Sequence, residues 1–254
     1  MKSQSKQKDM STIDKNFDQV YQFSTMVSLL DGIYDGDFYM SEAREHGDFG
    51  IGTFNQLDGE LIGFDGKFYR LRSDGKAYPV KESDCSPFCS LTFFHPAIYH
   101  DINRQMTRET FEKKMHVLLP SENVFYAIRM DGTFKKVKTR TVELQEKPYV
   151  PMVEAVKSQP IFDFNNIKGT IVGFWTPQYA NGIAVSGFHF HFIDEDRHSG
   201  GHVFDYEIEK CTIQISQKLN MYLRLPNTKD FFKADLNRHD LAAGIEATEG
   251  NPKS

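Results

Sequence analysis

Hydrophobic and polar positions alternate along most of this chain, and clear turn signals separate the alternating runs. In GDFGIGTFNQLDGELIGFDGKFYRLRSDGKAYPV, short aromatic and branched runs are cut by Asp58-Gly59, Asp65-Gly66 and Asp74-Gly75. Asp-Gly supplies the positive φ that tight hairpin turns demand, so the segment predicts an antiparallel meander. Strand-like runs return in NVFYAIRMDGTFKKVKTRTVEL, GTIVGFWTPQYANGIAVSGFHFHFI and HVFDYEIEKCTIQISQKLNMYLRLP. Helical spacing is rarer. RQMTRETFEKKMHVLL puts Met106, Phe111, Met115 and Leu118 on one side, and Pro120 ends it. VYQFSTMVSLL sets Phe23, Met26, Val27 and Leu30 at helical spacing, and short helical pieces are expected near Phe231 and Leu241.

The pattern predicts an α+β fold with few helices and mixed or antiparallel sheets. Residues 1–18, dominated by Lys, Ser, Gln and Asp, are expected to be disordered. The chain is expected to divide into 19–150 and 151–254, with the proline-bearing QEKPYVPMVEAVKSQP at the join. FYRLRSDG and FYAIRMDG echo one another at the same offsets. Either two hairpins chose similar chemistry independently, or a unit is duplicated.

Composition narrows the function. The net charge of -5 and pI near 6.0 argue against a nucleic-acid or anionic-membrane surface as the main partner. No run approaches the roughly 18 apolar residues of a membrane span, and the polar N-terminus is not a secretory signal. A cytoplasmic protein with a small-molecule substrate is expected. Three cysteines, Cys85, Cys89 and Cys211, make no disulfide framework, and the C-x3-C pair is a weak zinc signal.

Strand alternation then selects candidate chemistry from SGFHFHFIDEDRHSGGHVFDY. His189, His191 and Ile193 share one face, while Phe188, Phe190 and Phe192 share the other. Both faces are largely apolar, so the strand reads as buried on both sides. Two buried neighbouring imidazoles need partners, and a metal provides one directly. DEDRHSGG reads as a turn, so a hairpin would return His202 beside the pair and leave His198 in the solvated loop. Three neutral imidazoles with open positions suggest zinc or another divalent ion. The same facing test flags Glu60 beside Ile62 and Phe64, and Arg140 beside Val142 and Leu144. Such charges on apolar faces are functional, or they pair with each other, or they reach water at a strand end.

These segments together resemble the bacterial acetolactate decarboxylase family. STMVSLLDGIYDGDF, the Gly-rich meander, TRTVELQEKPYVPMVEAVKSQP, the histidine stretch and LRLPNTKDFF with the terminal EATEG carry the resemblance over nearly the whole chain after about residue 20. The resemblance implies two sheet-containing halves with the metal between them, a homodimer, and conversion of (S)-2-acetolactate to (R)-acetoin and CO2 through a zinc-stabilised enediolate. It implies His189, His191 and His202 as ligands of Zn2+. It adds Glu60, Arg140 and Glu249 as catalytic residues, with Thr53 and Arg140 toward the substrate. Glu60 is the expected proton donor or relay and Glu249 a second carboxylate at the metal, roles that could be exchanged. Arg140 would orient the substrate carboxylate or stabilise the enediolate. Two other readings compete. His189-x-His191-x3-Glu195 partly matches the cupin pattern for iron or manganese, and a non-catalytic binding module could use the same pocket.

Overall fold

The computed structural model describes residues 17–237 and 240–249; the expectation of disorder over 1–18 falls mostly outside them. In chain order come β1 (Gln19–Phe23), α1 (Met26–Leu30), β2 (Phe38–Tyr39), α2 (Met40–His46), β3 (Phe49–Thr53) and β4 (Glu60–Phe64). Then follow β5 (Lys67–Leu71), β6 (Ala77–Pro79), β7 (Cys85–Ser86), β8 (Phe88–Thr92), β9 (Ile98–Ile102), β10 (Met106–Thr107) and α3 (Arg108–Leu118). The remainder holds β11 (Phe125–Arg140), α4 (Met152–Ala155), β12 (Ile161–Thr176), β13 (Gly187–Asp194), β14 (Gly200–Lys218), β15 (Asn220–Arg224), α5 (Lys229–Lys233) and α6 (Leu241–Glu249). Strands dominate and the helices are few, as the alternation predicts.

The predicted meander is present as β3-β4-β5-β6, each pair antiparallel. Asp65 and Gly66 both take positive φ, 54° and 69°, which is the backbone a two-residue hairpin turn requires. The meander lies in a seven-stranded sheet ordered β15-β1-β8-β3-β4-β5-β6, antiparallel except for β1 and β15. β11, β12, β13 and β14 form the second large sheet, joined by β9 and β10. Because β13 also pairs with the start of β14, these four strands close on themselves at that end.

Two local readings change in three dimensions. The helical spacing over 20–30 holds only from Met26; residues 19–23 form β1, and Ser24, at φ 64°, breaks the chain before Thr25 caps α1. A short apolar run fits either period, and pairing with β8 and β15 decides it. In the echo, Asp74-Gly75 sits in a turn, with Gly75 at φ 77°. Asp131-Gly132 instead lies inside the continuous strand β11. The sheets also do not divide the chain at residue 150. β9, β10 and β11 join the second sheet, and β15 crosses back to the first. Local patterning marks strands but not their partners.

The two large sheets meet through Phe49, Ile51, Ile62 and Phe64 of the first and Ala127, Val172, Phe174 and Ile193 of the second. On the far side of the second sheet, Phe111 and Met115 of α3 pack with Phe190 and Phe192. α3 begins at Thr107, whose hydroxyl accepts from the Thr110 amide, and ends two residues before Pro120. A third apolar cluster gathers α1, α4 and α6 around Leu57, Phe88 and Val142. The candidate site residues lie where these three bodies converge.

Candidate active site

β13 sorts its side chains as the alternation predicts. Phe190 and Phe192 enter the cluster under α3, whereas Ile193 enters the cluster between the sheets. His189 and His191 therefore share the inter-sheet face. The hairpin then places His202 of β14 directly opposite His191. One ligand atom from each of the three rings lies within 4.8 Å of the others, so the group can hold a metal ion. His198 is exposed in the connecting turn. Glu195 is also exposed and pairs with Lys168, so the third ligand of the cupin pattern is not in this cluster.

The tautomer of His191 is set by the neighbouring sheet. Its Nδ1 lies 2.7 Å from the Leu61 carbonyl, an acceptor, so Nδ1 carries the hydrogen and Nε2 presents a lone pair. That Nε2 is buried and has no hydrogen-bond partner. Leaving such a nitrogen unsatisfied costs about 1–3 kcal/mol, and a bound cation removes the cost. A backbone carbonyl behind the imidazole is also the usual arrangement that fixes a metal-ligating ring. Burial lowers the pKa of all three rings, that of His191 to about 4, which keeps them neutral as ligands must be. Three neutral imidazoles with carboxylates beside them fit a divalent ion of the zinc class.

Glu60 opens β4, opposite Thr53 of β3. Its Oε2 lies 3.7 Å from His191 Nε2. Gly59, immediately before it, sits at φ 93°, where a Cβ would come within 2.5 Å of the Leu71 carbonyl. Glycine there lets the chain turn tightly into the strand and aims Glu60 inward. Burial, and then the nearby Glu249, push the Glu60 carboxyl up to about 8, against the opposing pull of Arg140 and the Val142 amide. Thr53 is buried, and its hydroxyl donates to the Gly59 carbonyl at 2.9 Å, bracing the same turn.

Glu249 ends α6 and reaches the cluster from the opposite end of the sequence. Its Oε2 lies 3.5 Å from His202 Nδ1, 3.7 Å from His189 Nε2 and 3.8 Å from Arg140 Nη2. Burial raises its pKa, with Arg140 opposing. Glu246, one turn earlier, is exposed. Arg140 ends β11 opposite His202, and its Nη2 is 3.4 Å from His202 Nε2. The same nitrogen donates to the Thr248 carbonyl, which ties α6 to the sheet. Among the described residues the ion pair of Arg140 is with Glu249, not Glu60. The two charges flagged on strand faces are thus not a mutual pair.

One cavity is lined by all seven predicted residues: Thr53, Glu60, Arg140, His189, His191, His202 and Glu249. It also carries an apolar wall of Leu29, Leu57, Phe88, Val142, Met152 and Val156, which sequence reasoning missed. Those positions look like ordinary core, and only their convergence on the cavity distinguishes them. The carbonyls of Leu61 and Thr248 leave no side-chain signal at all.

The family model for alpha-acetolactate decarboxylase matches residues 20–238. The chain is 82% identical over 253 residues to the alpha-acetolactate decarboxylase of Bacillus licheniformis, covering 100% of both chains. It is 70% identical over 240 residues to that of Bacillus subtilis strain 168, covering 94% of each. The crystal structure of the alpha-acetolactate decarboxylase from Bacillus subtilis strain 168 superposes with a TM-score of 0.91 at 71% identity. It covers 92% of this chain and 100% of that one.

Proposed function

The chain belongs to the alpha-acetolactate decarboxylase family, and from that premise we propose that its cavity converts (S)-2-acetolactate to (R)-acetoin and CO2 with a zinc ion on His189, His191 and His202. Decarboxylation of acetolactate is the activity of the family. The finer reading is carried by the orphaned Nε2 of His191 inside a set of three neutral imidazoles. A structural zinc site is usually closed by four protein ligands, whereas three histidines leave room for a substrate. When bound, the ion supplies Lewis acidity toward the hydroxyl and ketone oxygens of the substrate.

The remaining work falls to the side chains. Cleavage of the bond between C2 and the carboxylate releases CO2 and leaves its electron pair to spread onto the ketone oxygen, giving an enediolate. C2 then needs a proton on one face. Burial raises the Glu60 carboxyl, to about 8 before a cation binds, and Glu60 sits at the cluster to deliver that proton. Solvent reprotonates Glu60 after the product leaves. Arg140 offers a planar cation to the substrate carboxylate and then to the oxygens on which charge develops. Glu249 is the second carboxylate, lining or ligating the metal, and its burial beside Arg140 fixes the end of α6. Thr53 borders the substrate and steadies the turn that carries Glu60.

Cytoplasmic residence belongs to the same reading, and three free thiols suit a reducing compartment. No described helix is long and apolar enough to cross a membrane. A homodimer is taken from the family resemblance. The test is to supply the metal-loaded protein with racemic 2-acetolactate and follow CO2 and the acetoin enantiomers, with metal measured on the same sample. Release of (R)-acetoin above the spontaneous rate by a zinc-containing protein is expected. No release above that rate with metal bound defeats the enzymatic reading. Iron with oxygen-dependent turnover would favour the cupin chemistry instead.

A further inference from the structure

The cavity is divided by chemistry. Its polar residues group together: the three imidazoles lie within reach of one ion, with Glu60 at 3.7 Å from His191 and Glu249 at 3.5 Å from His202. Its apolar residues group separately, because Leu29, Leu57, Phe88, Val142, Met152 and Val156 all belong to one packed cluster. The polar set comes from β3, β4, β11, β13, β14 and the end of α6. None of it comes from α4 or the single 3-10 turn that follows, Val156–Ser158. Met152 and Val156 are four residues apart in this continuous helical segment, so they share one face, and both are buried while lining the cavity.

The substrate is divided the same way. Its carboxylate, hydroxyl and ketone oxygens need the polar residues, which leaves its two alkyl groups, the methyl on C2 and the methyl of the acetyl group, for the apolar set. We propose that Met152 and Val156 are specificity-determining residues that bound the space for the substrate's alkyl groups and so set the length of chain accepted. The proposal rests on the decarboxylase reading above. Met152 is the more adaptable of the two, being unbranched with a polarizable thioether, whereas Val156 is stiff at χ1 and defines a fixed boundary. Because this segment carries no ligand or proton-transfer group, changing it alters the room for alkyl chains and leaves the polar apparatus in place.

The test compares kcat/KM for 2-acetolactate with kcat/KM for two homologues. One carries an ethyl group in place of the C2 methyl, and the other a propionyl in place of the acetyl. A single methylene in an apolar pocket discriminates by about tenfold or more. Met152→Ala and Val156→Ala are therefore each expected to shift the ratio by about tenfold toward at least one homologue. Val156→Leu, which narrows the space, is expected to shift it the other way. Metal content and thermal midpoint are measured on each variant, because a merely structural role lowers all three substrates together and leaves the ratios unmoved. Ratios unchanged within about twofold in both alanine variants and in Val156→Leu, with metal retained, overturn the proposal. Absence of wild-type activity on 2-acetolactate defeats the decarboxylase reading itself, a result distinct from unchanged ratios.

Discussion

His191 and His202 face each other across the β13–β14 pair, and Arg140 faces His202 from the other side on β11. Three candidate site residues thus form one row across three hydrogen-bonded strands, at the end where the sheet closes. Side-chain spacing is set by backbone pairing, so the site is built before any ion arrives. His202→Ala is expected to lower metal content by about tenfold or more, while leaving the circular dichroism of the sheets unchanged. A chelator should likewise abolish turnover without unfolding the chain. Unfolding on metal removal, followed by circular dichroism, would contradict a preformed site.

The same three rings predict an acid limit. Burial depresses their pKa values, that of His191 to about 4. For a depressed group, stability is full above the unfolded value near 6.5 and is lost as pH falls through the folded value. The metal-free protein should therefore lose stability progressively from about pH 6.5 toward pH 4. Metal should also stay bound at pH 6, where exposed histidines are already substantially protonated. Thermal midpoints of the metal-free protein, and metal retention of the loaded protein, across this range check both expectations.

Glu60 behaves oppositely. Its pKa is raised to about 8, chiefly by burial. A raised group contributes stability that is full below its unfolded value, near 4.3, and is lost as pH rises through the folded value. In the metal-free protein, Glu60→Gln should remove this share of the decline between about pH 4.3 and pH 8. In the active enzyme the same substitution should cost about 100-fold or more in kcat while metal is retained, because the proton donor is gone. Turnover of the wild type should fall on the alkaline side, at a pH below about 8 because a bound cation favours the carboxylate. A fully active Glu60→Gln enzyme would remove Glu60 from the proton role.

The strands and the inward histidine pair were legible because period-2 alternation is local. Asp65-Gly66 likewise announced its turn by the φ it needs. Strand partnership was not legible. Nothing in FYAIRMDG says that β11 pairs with β12 and β14 rather than with the meander, or that its Asp-Gly runs straight through a strand. Glu60 and Arg140 stood out as charges on apolar faces, but only the fold shows that Arg140 turns to Glu249 and the Thr248 carbonyl. Glu249 came from resemblance alone, since a glutamate near a chain end has no periodic context. The apolar wall was invisible for the reverse reason, because Met152 and Val156 look like any core residues.

Arg140 is a test of geometry as much as of charge. Its Nη2 donates to the Thr248 carbonyl and lies near both His202 and Glu249, a position one bond beyond the reach of a lysine ammonium. Arg140→Lys should therefore retain the charge yet lower kcat/KM by about tenfold to 100-fold, and it should raise KM if the substrate carboxylate is the lost partner. Arg140→Ala should be worse and should also destabilise the chain, because Glu249 is left as a buried carboxylate without its cation. Steady-state kinetics and thermal midpoints on the two variants separate these effects; an Arg140→Lys enzyme with unaltered kinetics would show that Arg140 supplies charge alone and not guanidinium geometry.

The end of α6 can be removed to ask what it contributes. Thr248 and Glu249 line the cavity, while Ile245 and Leu241 seat the helix in the apolar cluster with α1 and α4. Among the described residues, neither large sheet draws a strand from beyond β15. Deleting residues 246–254 should therefore leave the sheets folded, with circular dichroism close to that of the full chain. It also strips Arg140 of two partners and His189 and His202 of the carboxylate beside them. Turnover should fall below detection. Metal should be retained in part, because the three imidazoles remain. Glu249→Gln separates the carboxylate from the helix: it keeps a hydrogen-bonding side chain at the end of α6 and should lower activity, with a lower thermal midpoint because Arg140 loses its buried carboxylate. If the truncated chain decarboxylates acetolactate at the full rate, Glu249 has no part in the reaction.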